Sequence, residues 1–239
     1  MSEPVIDLGE SSCDFLDNNN SNHVKIIGHD GLIGSVPKAS DIIELKVVDG
    51  KFKVICEKVI KFIEDNLSDA CIPFVIISAG SFFLAEDEFL NAPKNFHERI
   101  KSEILQEFDE VSDKIYQVVK NRGGKIEIAS ILPQLKFFQL STNDQQFFSG
   151  CYEDFNSRIW RFNKTNGLMT PNLKEFIEYK VQKSKKNEKG TNHRKDNKLQ
   201  GCFQKKFSKC HFTDDFHFNK EMQSKFLRKL LSYMDKLAK

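Results

Sequence analysis

The 239-residue chain lacks any apolar run near the ~18 residues that a membrane-spanning helix needs, so no membrane span is expected. It has six prolines and twelve glycines, too few for a collagen-like or Pro/Gly-rich low-complexity chain. Its cysteines (Cys13, Cys56, Cys71, Cys151, Cys202 and Cys210) are scattered and do not form a disulfide framework, which fits a reduced compartment. The first twenty residues have no Lys or Arg and no apolar stretch, whereas a secretory signal requires both. These absences together predict an intracellular, cytoplasmic protein. What is present, 39% hydrophobic and 11% aromatic residues, suffices for one sizeable core.

The formal charge is only +2, but it is segregated by sign. Between Lys180 and Lys209 there are eleven Lys or Arg against Glu188 and Asp196, a net +9, which leaves −7 on the rest of the chain. Glu3, Asp7, Glu10, Asp14 and Asp17 supply −5 of that. Residues 1–22, polar and Asn-rich without usable period, read as a disordered acidic leader. Residues 23–239 read as one domain carrying a basic insertion at about 180–209. Such segregation points to an anionic partner for the basic part.

Along the domain, strands and helices alternate. Val24–Ile27, Ile42–Val48, the nearly all-apolar Ile72–Ser78 and Lys125–Leu132 read as strands. Helical spacing predicts helices from Phe52, over about Asn95–Asn121, over about Tyr152–Lys164, and from about Lys220. Arg122-Gly123-Gly124 and Gly167 supply stops. This alternation predicts an α/β fold with a largely parallel sheet. In such sheets ligands sit beyond the carboxyl ends of the strands. The segments of interest are therefore Gly28-His29-Asp30-Gly31, Asp49-Gly50, Ser78-Ala79-Gly80-Ser81 and Ile131-Leu132-Pro133, with Asp214-Asp215-Phe216-His217 ahead of the last helix.

Taken in order, these segments resemble the sequence blocks of the SGNH (GDSL-type) hydrolases, from about Val24 to Met234. The matches are short and degenerate, and their order and spacing carry the resemblance. It implies a three-layer α/β/α sandwich, a nucleophilic serine after the first strand, oxyanion donors after the second and third, and a late Asp-x-x-His. Asp214 and His217 match the acid and base, and Gly50 matches the glycine donor. Asp30, however, stands where the serine belongs, and Phe82 and Phe83 replace the Asn and Asp of the third block. A carboxylate has no proton for His217 to remove, and phenylalanine donates no hydrogen bond; losing one oxyanion donor costs about 10²- to 10³-fold in rate. Ser35 lies too far past Gly28, and Ser81 belongs to another block. The resemblance therefore extends to superfamily members that lost catalysis, such as the OSK domain of Oskar and esterase-like domains of retroelement proteins, and implies a pseudoenzyme that binds.

Each of these features has a plainer alternative. Asp30 either pairs with His217 or occupies a turn beside Gly31, where aspartate is common. Asp214 either serves the site or caps the final helix region. Lys183, Lys185, Lys186, Arg194, Lys195, Lys198, Lys205, Lys206 and Lys209, with Phe203 and Phe207 interleaved, have the composition of a single-stranded RNA contact. They are equally the composition of a solvated loop, and Lys183-Ser184-Lys185-Lys186 also reads as a nuclear-import signal. Cys202, Cys210, His211 and His217 have poor zinc spacing, so no metal or cofactor is expected. Phe82 and Phe83 or the acidic leader would make the contact if the chain is a protein-interaction scaffold.

Overall fold

The computed structural model describes residues 22–38, 41–48, 50–79, 93–131, 142–173, 178–180, 205–207, 213 and 218–239. Four parallel strands form the central sheet: β1 (His23–His29), β2 (Ile42–Lys46), β3 (Ile72–Ser78) and β4 (Lys125–Ile128), in the order β2-β1-β3-β4. Helices α1 (Phe52–Asn66), α2 (His97–Asn121), α3 (Thr142–Thr165) and α4 (Lys220–Leu237) cover it. The described residues also include a separate antiparallel pair, β5 (Glu178–Lys180) and β6 (Lys205–Phe207).

Strand alternation divides the core in two. Val24, Ile26, Val75, Ile77, Ile126 and Ile128 point to one face and pack with Ile55, Val59 and Ile63 of α1, Phe108 and Ile115 of α2, and Phe155 and Ile159 of α3. Ile27, Phe74, Ile76 and Ala129 point to the other and pack with Met222, Phe226, Leu230 and Met234 of α4. The result is a three-layer α/β/α sandwich, as the sequence predicts. β3 is buried almost throughout because both faces are covered. Gly28 allows α1 to lie tight on β1, since a Cβ there would stand 2.7 Å from Val59 Cγ2.

Two differences from the sequence-based expectation concern β4 and α3. The β4 ladder stops at Ile128, short of Leu132, because side chains take over the backbone groups. Asn163 Oδ1 accepts the Ile128 N–H at 3.0 Å and its Nδ2 donates to the Ile128 carbonyl at 2.8 Å. Two helical turns earlier, Asn156 makes the same pair of bonds to Ile131, at 2.8 and 3.1 Å. Both asparagines thus act on β4 as a neighbouring strand would. Helix α3 itself starts ten residues before the expected Tyr152 and brings Phe148 and Cys151 into the core.

Candidate functional site

Because the four strands are parallel, they all end at one edge. There β1 delivers His29 and Asp30, β2 delivers Lys46 and Val47, β3 delivers Ser78 and Ala79, and β4 leads to Ser130 and Ile131. The register pairs His29 with Lys46 on one side and with Ser78 on the other, all on the α4 face of the sheet. His29, Asp30 and Ser78 are essentially fully buried.

Asp30 occupies a turn, one of the two expectations; the other, a pairing with His217, involves a residue outside the described set. Its Oδ1 accepts the Leu32 N–H at 2.9 Å, an Asx-type bond that folds the chain back after β1. The turn sends Leu32, Ile33 and Val36 into the α4-side core. Gly50 is likewise a turn residue: its N–H donates to the Val47 carbonyl at 2.9 Å. A Cβ at Gly50 would stand only 2.5 Å from Val47 Cγ1, so this turn requires glycine whatever else the residue does.

The best-defined polar cluster at this edge is one that sequence reasoning missed. His29 Nδ1 accepts the Gly31 N–H at 3.0 Å, which places the ring proton on Nε2. Nε2 then donates to Glu44 Oε1 at 2.8 Å, and the same oxygen accepts the Val36 N–H at 3.1 Å. Burial pushes the Glu44 carboxyl upward, but the bonds from His29 and Val36 outweigh it and hold the group below its usual value. Both ring nitrogens of His29 are thereby occupied, and the ring has no exposed surface. Chemically the cluster fixes the 31–36 loop against β1 and β2. The only local signal was the position of Glu44, a lone carboxylate in the apolar stretch Ile42-Ile43-Glu44-Leu45. Its partner is fifteen residues away, beyond any local pattern.

Ser130 is also engaged, donating to the Pro171 carbonyl at 3.2 Å and accepting the Leu173 N–H at 2.9 Å. Phe82, Phe83, Asp214 and His217 lie outside the described residues, as do the Cys202, Cys210 and His211 positions. Just beyond the late block, Asn219 caps α4 through Oδ1, which accepts the Met222 N–H at 3.0 Å. The N-cap of α4 is thus Asn219. Of the basic residues, Lys205 and Lys206 fall in β6; Lys183, Lys185, Lys186, Arg194, Lys195, Lys198 and Lys209 lie outside the described set. No helix among the described residues is long and apolar enough to cross a membrane.

Comparison with solved structures matches this architecture. A GDSL-like lipase from Bacteroides thetaiotaomicron VPI-5482 superposes with a TM-score of 0.55 over 90% of this chain and 88% of its own, at 13% identity. A protein assigned as an acylhydrolase, from Bacteroides fragilis NCTC 9343, gives 0.56 over 93% and 90%, also at 13% identity. The fold is that of the SGNH hydrolases. At this identity the likeness extends to the fold alone. No protein-family profile matches the chain, and no curated protein matches it in sequence.

Proposed function

We propose that this SGNH-like domain is catalytically inactive and serves as an RNA-binding module, contacting single-stranded RNA through Lys180–Lys209. The observation that carries the reading is the net +9 on that stretch, set in a chain otherwise at −7. Lysines neutralise phosphates and release counterions, while Phe203 and Phe207 offer faces for base stacking. Loss of catalysis is supported at the two described family positions. Asp30 has no hydroxyl to activate, and one oxygen of its carboxylate accepts the Leu32 N–H. The Gly50 N–H donates to the Val47 carbonyl, which favours a turn role over that of an oxyanion donor. Reversing Lys205, Lys206 and Lys209 to Glu tests the RNA contact. Affinity is expected to fall uniformly across RNA sequences, because phosphate contacts carry no sequence information; unchanged affinity overturns the assignment.

The hydrolase assignments of both solved neighbours favour a second reading, a surviving esterase with a displaced serine. Ser35 is exposed in the loop after β1, whereas Ser81 lies outside the described residues. Turnover of a short acyl ester that disappears in His217→Ala would establish this reading in place of the inactive one.

A further inference from the structure

The β5–β6 pair brings the two ends of the basic stretch together, and its register is informative. Glu178 lies opposite Phe207, Tyr179 opposite Lys206, and Lys180 opposite Lys205. Strand alternation puts the Lys180/Lys205 and Glu178/Phe207 positions on one face and the Tyr179/Lys206 position on the other. A lone two-stranded ribbon is marginal in water, and like charges at directly opposed positions weaken it further. The 24 residues joining the strands add seven more cations against two acids, so the connection cannot neutralise the pair.

We propose that the β5–β6 ribbon is the folded element of the RNA contact, and that RNA phosphates stabilise it by screening the opposed lysines. Ribbon formation and RNA binding are then coupled, each strengthening the other. The inference rests on the RNA-binding reading above and adds to it the element that meets the RNA.

Its signature is a substitution that moves order and binding in opposite directions. Lys205→Glu sets opposite charges at one cross-strand position while removing a phosphate contact. In the full-length chain without RNA, amide hydrogen exchange across 178–180 and 205–207 is expected to slow in Lys205→Glu relative to wild type. Affinity for a mixed-sequence single-stranded RNA at low salt is expected to fall roughly tenfold. In the wild type, adding that RNA is expected to slow exchange in the same two segments. Faster exchange in unliganded Lys205→Glu, or unaltered RNA affinity, overturns the proposal. If wild-type RNA binding is salt-sensitive but leaves ribbon exchange unchanged, the ribbon assignment fails and the RNA reading stands. If the wild type binds no RNA at low salt, the RNA reading fails and the ribbon proposal fails with it.

Discussion

Glu44 receives two hydrogen bonds on one oxygen, from a buried imidazole and from a backbone N–H. Glu44→Ala leaves both donors without their acceptor, one of them on a fully buried ring, at an expected cost of about 2 kcal/mol. Urea denaturation near pH 7 would measure it. The pH dependence has a definite sign. The folded state holds this carboxyl below its unfolded value, so its contribution is present above that value and is lost as pH falls through the folded one. Glu44→Gln should therefore flatten the acid limb of the stability curve; an unchanged limb would contradict the cluster as described. At this scale the sequence was only partly legible. Aspartate beside Gly31 already suggested the turn that Asp30 makes, because that preference is local. The His29–Glu44 bond joins two strands, and no local preference reports it.

Helix α3 and strand β4 are joined by side chains that stand in for a strand. Asn163 is fully buried and holds both backbone groups of Ile128. Its replacement by Ala leaves two buried polar groups unpaired, for an expected loss of about 3 kcal/mol, well above that of Asn156→Ala at a half-buried position. Comparing the two variants by thermal or chemical unfolding checks the ranking. Glu127, also on β4, behaves oppositely to Glu44. It faces α4, its Oε1 accepts the Met169 N–H at 3.3 Å, and Oε2 has no partner among the described residues. Burial raises its carboxyl to about 7, and Met169, Lys125 and Lys236 only partly offset this. A raised carboxyl favours the folded state below its unfolded value, and that advantage is lost as pH rises through about 7. Glu127→Gln is expected to stabilise the protein at pH 8 by on the order of 2 kcal/mol and to remove the slope between roughly pH 5 and 7. A denaturation series over that range would show it, and an unaltered slope would refute it.

The element scale is also where the sequence was most readable. β3 (Ile72–Ser78) and α4 from Lys220 coincide with their apolar patterns, since burial on both faces or along one helix stripe leaves a strong periodic trace. The first turns of α3 left no such trace. Thr142–Cys151 mixes polar residues with Gly150, and only the packing of Phe148 and Cys151 under α2 makes it helical. Premature termination of β4 was equally hidden, because it depends on asparagines some thirty residues downstream.

Across the whole molecule, an α/β/α sandwich of the GDSL-type fold carries turns at Asp30 and Gly50, and its net positive charge is gathered in one stretch. The order of short blocks made the fold legible even though individual motifs are degenerate, because all but the last mark the end of a strand. The proposed function rests on the charge distribution and on Asp30 and Gly50, and binding is what tests it. The most direct measurement is the affinity of the full-length chain for a labelled mixed-sequence single-stranded RNA across a salt series, beside the Lys205→Glu/Lys206→Glu/Lys209→Glu variant. Wild-type affinity is predicted to fall steeply and linearly on a log–log plot, while the variant binds weakly and with a shallower slope. Absence of wild-type binding at low salt, or binding indifferent to salt and to the three reversals, would contradict the account.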